Sequence, residues 1–112
     1  STIDIRTQAF RELKALRYHP AVQRDINEAM RYYLGQATHK ISLKFWDELV
    51  QGFHQVQRNP SHYHFDDSGL RRYNLRKFPF HFLYEDLEDR VRIQVVRHHS
   101  RSSTYGTTRN WS

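Results

Sequence analysis

Residues 71–105 read RRYNLRKFPFHFLYEDLEDRVRIQVVRHHSRSSTY, and the hydrophobic period of the run is two. Phe80, Phe82 and Tyr84 alternate with His81 and Leu83. Val91, Ile93 and Val95 alternate with Arg92, Gln94 and Val96. Successive side chains of a strand point to opposite faces, so each alternation predicts a strand with one apolar face. Leu70–Leu75 supplies a first strand ahead of these two. Short connections join all three, which predicts an antiparallel meander. The acidic segment Glu85-Asp86-Leu87-Glu88-Asp89 is expected to form one turn. The last strand runs into Arg97-His98-His99-Ser100-Arg101, so the sheet should end in a cluster of cations and imidazoles.

Upstream of this run the period changes. Leu13–Tyr18 (LKALRY) is short and apolar-rich and stops at His19-Pro20, as an opening strand would. Pro20 suits the first turn of a helix, where its missing N–H costs nothing. Val22, Ile26, Ala29, Met30 and Tyr33 then recur at spacings of three and four and form one stripe. Gly35 lies where a C-terminal cap would fall. A second helix is expected from about Thr38, with Phe45, Trp46, Leu49, Val50, Phe53 and Val56 on a broad apolar face. Asn59-Pro60 should end it, because proline disfavours the α conformation of the residue before it. Trp46 and Phe53 are expected in the core, and His54 beside them is expected to be structural. Ser61–Gly69 is a polar loop.

The predicted fold is therefore α+β. An N-terminal strand precedes an antiparallel helical hairpin and a C-terminal antiparallel three-stranded meander. About four strands share one sheet, with the helices on one face and basic residues on a partly open second face. Residues 1–112 are expected to form a single domain. Its core spans residues 13–109, and residues 1–12 are an arm of unknown role.

A chain of 112 residues with 38% hydrophobic and 14% aromatic content can bury one modest core, which must lean on Phe, Tyr and Trp. It has no cysteine, so disulfides and thiolate metal sites are excluded. No stretch approaches the ~20 apolar residues of a membrane helix, and STIDIRTQAF lacks the apolar run of a signal peptide. A cytoplasmic protein with no membrane association is expected. The net charge of +6 is unevenly placed. Residues 1–67 hold nine Lys/Arg against eight Asp/Glu, net +1, whereas residues 68–112 hold nine against four, net +5. A positive C-terminal half attracts nucleic acid or an acidic protein.

The cluster Arg97 to Arg101, with Tyr105 beyond it, carries the chemistry. Histidine titrates near neutrality and can move a proton. Arginine offers a planar, permanently charged fork to phosphate oxygens, and a phenol can stack on a base or assist proton transfer. Together these groups suffice for RNA cleavage without a metal: a base for the 2′-hydroxyl, cations for the transition state and an acid for the leaving oxygen. The plainer reading is a basic strand end that docks an acidic partner, and composition alone favours it. Arg72, Asn74 and Arg76 share a face by alternation and could adjoin the cluster, or could simply form a solvated edge. His62-Tyr63-His64 with Asp66, and His98-His99, are the only dense histidine groups. Neither has the spacing of a metal site, so no metal is expected. Glycines are scattered, with no phosphate loop and no serine elbow. No cofactor is expected.

At these residues the chain resembles the RelE/ParE superfamily, the toxins of type II toxin–antitoxin modules, many of them labelled plasmid stabilisation proteins. The resemblance runs from about Leu13 to Arg109. It rests on the opening strand into HPAVQRDINEAMRYY, the FWDEL helix ending at Asn59-Pro60, and GLRRYNLRKFPFHFLYEDLEDRVRIQVVRHHSR. It implies a growth-arresting toxin with a cognate antitoxin, whose acidic, apolar tail would fold on the sheet or hairpin.

The superfamily implies two activities. RelE-like and YoeB-like members are mRNA interferases that cut in the ribosomal A site, which would make ribosome and mRNA the partners here. ParE-like members poison DNA gyrase. Matched to the nucleases, His99 falls at the catalytic histidine, Tyr105 at a C-terminal catalytic tyrosine, and Arg101 at a basic position. Arg72 falls at a strand lysine, and Arg76, Arg97 and His98 would assist in holding RNA phosphates. Two positions depart: Asn74 replaces a basic residue, and His81 stands where nucleases commonly keep a phosphate-binding arginine. The segment Val96–Arg101 also resembles the Leu-His-Gly-Arg-Arg end of ParE-like toxins. Ribosome-dependent mRNA cleavage is the first expectation. Gyrase inhibition without nuclease chemistry is the alternative, and a non-toxic binding module of the same fold is a third.

Overall fold

The computed structural model describes residues 13–36 and 38–111. The arm expected at residues 1–12 lies outside the described residues. The elements follow the predicted order: β1 (Ala15–Tyr18), α1 (Pro20–Gln36), α2 (His39–Arg58), β2 (Arg71–Asn74), β3 (Phe80–Asp86) and β4 (Arg90–His98). The four strands form one sheet in the order β1-β4-β3-β2. The C-terminal three are an antiparallel meander, and β1 pairs parallel to β4 from Ala15↔Arg90 to Tyr18↔Ile93. This parallel pairing is reached through the helical hairpin, which supplies the crossover a parallel connection needs.

Both helices begin where the sequence places them. Thr38 caps α2, its hydroxyl accepting from the Ile41 N–H at 3.4 Å. The hairpin covers one face of the sheet. Val22, Ile26, Phe45, Leu49 and Phe53 pack with Phe80, Phe82, Tyr84, Val91, Ile93 and Val96 into one core. Aromatic contacts dominate it: Phe45 lies against Phe80 at 5.0 Å, and Phe53 against Phe82 at 4.8 Å, between ring centroids. Gly52 lets β2 and β3 approach α2, since a Cβ there would sit 2.7 Å from the Tyr73 ring and 3.0 Å from that of Phe82.

Five expectations are corrected. Gly35 is not a cap: α1 continues through it to Gln36, and its φ is not positive. Trp46 is not core. It is 42% exposed, because the stripe of α2 that meets the sheet runs through Phe45, Leu49, Phe53 and Val56. The acidic segment is not all turn, since Glu85 and Asp86 belong to β3 and pair across it with Arg92 and Lys14. The alternation of β4 breaks. Ile93 stands opposite Tyr84 and Val95 opposite Leu83, so Gln94 is an extra, bulged residue. The bulge exchanges the faces of Val95 and Val96, and it is Val96 that joins the core. Lastly, β2 ends at Asn74, so Arg76 does not continue its alternation. The Arg76 and Lys77 N–H groups instead donate to the Glu48 carboxylate of α2, each at 3.2 Å.

A segment to which the sequence assigns no helix or strand completes the fold. β1 stops at Ile93, which leaves the edge of β4 uncovered beyond it, and residues 100–111 wrap this edge. Gly106, at φ +78°, passes so close to Val95 that a Cβ would clash at 2.4 Å. The Gln94 amide donates to the carbonyls of Gly106 and Arg109, and the Trp111 indole donates back to Gln94. The clasp is Asp25 on α1, 5% exposed. Its carboxylate accepts twice from Arg109 (2.7 and 2.9 Å), from the Val96 N–H (3.1 Å) and from the Tyr105 hydroxyl (3.3 Å).

Removing one partner of a buried ion pair leaves the other uncompensated, which costs about 3–5 kcal/mol. Asp25→Ala is therefore expected to lower unfolding stability by about that amount in urea denaturation and to release residues 100–111 to rapid amide exchange. A loss below about 1 kcal/mol with the tail still protected contradicts the clasp.

Candidate functional site

The face of the sheet away from the helices carries the polar site. Alternation places Arg72 and Asn74 of β2, His81 of β3 and Arg97 of β4 on this face, in neighbouring rows: Asn74 opposite His81, and His81 opposite Arg97. His99 follows β4 and is held by its N–H bond to the Pro79 carbonyl, 2.8 Å. Its ring stacks on that of His81, with centroids 5.2 Å apart and planes 16° from parallel. The loop before β2 brings in Asp66, whose carboxylate lies 3.5 Å from Arg72 and 3.8 Å from Arg97.

Arg97 organises this group from within. It is 5% exposed. Its Nε–H donates to His81 Nε2 at 2.8 Å, and Nη1 donates to the carbonyls of Ser103 and Tyr105, each at 3.0 Å. An arginine Nε always carries its proton, so His81 Nε2 must be bare. A neutral His81 therefore keeps its single proton on Nδ1. That nitrogen lies 3.0 Å from His99 Nδ1, so His81 donates and His99 accepts. The Arg72 guanidinium, 3.5 Å away, approaches the same His99 nitrogen. A neutral His99 thus carries its proton on Nε2, the nitrogen not engaged in the network. The chain of donors runs Arg97 to His81 to His99 and ends on an exposed N–H.

The electrostatics agree with this assignment. Burial, then the charges of Arg72 and Arg97, push the pKa of His81 down from 6.5 to about 3. His99 is also lowered, by burial, then by Arg72 and His98. Burial raises the Asp66 carboxyl, but the Ser68 N–H and hydroxyl and the charges of Arg97 and Arg72 outweigh it, and its pKa is lowered.

The residues singled out from sequence fall into three places. His99, Arg72, His81 and Arg97 meet in the network, joined by Asn74, which accepts from Arg72 Nε at 2.8 Å. Arg101 and Tyr105 lie apart from it. The Arg101 guanidinium sits 3.9 Å from the centre of the Tyr105 ring, whose hydroxyl is bonded to Asp25. His98 faces the helix side, edge-on to Phe80 at 5.0 Å, its Nδ1 accepting from Ser100. Arg76 stands beyond the end of β2. Sequence reasoning missed Asp25, and it weighed Asp66 only beside His62 and His64 as a metal group, not as the partner of Arg72 and Arg97. A signal for Asp25 exists: it sits three residues after Val22 and four before Ala29, on the apolar stripe, where a carboxylate requires a buried partner. Among the described residues, no group of three His, Asp or Glu is placed to hold a metal ion, and no helix is long and apolar enough to cross a membrane.

The fold and the order of its elements have counterparts. A chain of the chromosomal ParDE TA system from P. aeruginosa superposes with a TM-score of 0.70 at 16% identity, over 78% of this chain and 97% of that one. At that identity the likeness concerns the fold. No curated relative matches the chain. The family model of the ParE toxin of type II toxin–antitoxin systems, parDE, matches residues 16–103. That span takes in both helices, all of the sheet but Ala15 and every member of the His81–His99 network, and on it the chain belongs to the ParE toxin family.

Proposed function

We propose that this ParE-family toxin arrests growth by binding and inhibiting DNA gyrase and does not cut RNA itself. The observation that carries the reading is the fixed tautomer of His99. A general base must present a bare nitrogen to the proton it removes. In this network the free nitrogen of His99 already bears a proton, and the bare one is occupied by His81 and Arg72. His99 is thereby suited to donate a hydrogen bond to an acceptor, which is binding chemistry. The candidate phosphate-binding Arg97 and the candidate catalytic Tyr105 are likewise engaged, with the tail carbonyls and with Asp25. The cations left accessible on this face and beside it, Arg72, Arg76 and Arg101, can meet an acidic surface. As a type II toxin the chain has an antitoxin as its partner, and the net +5 of residues 68–112 matches an acidic antitoxin segment.

A second reading, ribosome-dependent mRNA cleavage, draws on one feature. His99 is exposed and sits beside the Arg72 guanidinium. For His99 Nδ1 to take a proton, His81 would have to turn away on binding and surrender its bond to Arg97.

Purified toxin incubated with gyrase and supercoiled plasmid is expected to block supercoiling or accumulate cleaved complexes. His99→Ala should retain inhibition within about tenfold, a loss of at most ~1.4 kcal/mol. Intact gyrase activity, together with mRNA cuts in translated codons that vanish in His99→Ala and Tyr105→Phe, would establish the second reading instead. A pH dependence follows from His81 as well. Its folded pKa is depressed, so below 6.5 the unfolded chain binds a proton that the folded chain refuses until about 3. Stability therefore falls with pH across that window, by up to about 1.4 kcal/mol per pH unit from this group. His81→Asn, whose amide oxygen can still accept from Arg97, is expected to show a shallower fall between pH 6.5 and 5 in urea titrations. Identical slopes would contradict a neutral, buried His81.

A further inference from the structure

Along the β2 edge, adjoining the His81–His99 network and sharing Arg72 and Asn74 with it, lies a surface built around Phe65, a residue that the gyrase reading does not use. Phe65 is 65% exposed, the most exposed large apolar side chain among the described residues. It is nevertheless held in place. Its residue bridges to Arg71 at the edge of the sheet, and the Arg71 guanidinium lies 4.1 Å from the ring centroid. That guanidinium is itself anchored, donating to the carbonyls of Tyr63 at 2.8 Å and Ser61 at 3.3 Å. A cavity of about 380 Å³ opens beside the ring, and its lining includes His62, His64, Arg72, Asn74 and Arg76. No carboxylate lines it. Asp66, next in sequence to Phe65, is turned towards Arg72 and Arg97.

We propose that this platform holds a single-stranded nucleic-acid segment, one base stacked on Phe65 and the adjoining phosphates on Arg72 and Arg76. A preoriented aromatic face beside cations and amide donors is what sequence-tolerant binding of single strands needs, because every base offers a π face and every linkage a phosphate. A protein partner fits less well. Phe65 is the one exposed apolar ring of the lining, with Tyr63 and Tyr73 beside it half-buried, so the surface lacks the broad contiguous apolar centre that protein interfaces bury. Duplex DNA fits less well too, since its bases are stacked and cannot reach the ring. The platform shares Arg72 and Arg76 with the cations offered to an acidic surface in the gyrase reading, and Phe65 is the group that distinguishes the two.

Fluorescence anisotropy with the full chain and labelled oligo(dT) and oligo(U) of about 12 nucleotides tests it, with a duplex of the same length as competitor. One or both single strands should bind, more tightly than the duplex, and the tighter of the two identifies the strand the platform serves. Binding should weaken as salt rises. Phe65→Ala, which removes an exposed side chain and should keep the fold by circular dichroism, is expected to weaken binding about fivefold or more, and Phe65→Trp to restore it. Arg76→Gln should weaken binding and flatten the salt dependence by roughly one phosphate contact. No single-strand binding at micromolar protein, equal binding by Phe65→Ala, or equal competition by the duplex would each overturn the proposal.

Discussion

One buried cation holds the candidate functional face of this protein together. Arg97 lies in the middle of the open side of the sheet and directs each edge of its guanidinium to a different element. Nε reaches His81 on β3, Nη1 reaches the carbonyls of the tail, and Nη2 faces Asp66 in the loop before β2. A guanidinium is the side chain suited to this role, because it is planar, keeps its charge and offers five donors in fixed directions. Burying such a charge is costly without partners, and here carbonyls, an imidazole and a carboxylate meet it. The exposed ring of His99 is tied to that arrangement through His81.

The same bond converts a structural contact into a chemical one. By occupying His81 Nε2, Arg97 dictates where the proton of His81 sits, and His81 in turn dictates the tautomer of His99. Two stacked imidazoles could otherwise exchange roles freely with pH. Here the inner ring is held neutral down to about pH 3, and the outer ring is left as a fixed donor. The position that the superfamily resemblance matches to a phosphate-binding arginine of the nucleases holds a histidine that itself accepts from a neighbouring arginine. The positive charge thereby moves from the surface of the sheet to its interior. This relocation favours a toxin that recognises its target over one that stabilises a phosphorane-like transition state.

Much of the fold was legible because periodicity reports faces directly. The stripe of α1, the alternation of β3 and the stop at Asn59-Pro60 each needed only local sequence. What was not legible depended on contacts between distant residues. Gly35 reads as a cap locally, yet α1 continues through it. Gln94 looks like one more outward residue of β4, but its amide is claimed by the tail, and the strand bulges around it. Arg97 looks like a surface cation at a strand end. Only its cross-strand pairing with His81 and the return of residues 100–111 show that it is internal. Tyr105 and Asp25 lie eighty positions apart in the chain, and nothing local joins them. The resemblance to the superfamily supplied roles for the candidate residues, but it could not say which nitrogen of His99 is bare.

That nitrogen is the most direct test. Long-range ¹H–¹⁵N correlation spectra of the intact protein at pH 7 report the protonation of each ring nitrogen of His81 and His99. The account predicts two neutral rings, with the proton on Nδ1 of His81 and on Nε2 of His99. A His99 whose Nε2 is unprotonated at that pH would present a base to solvent, contradict the fixed-donor assignment and return the balance to RNA cleavage.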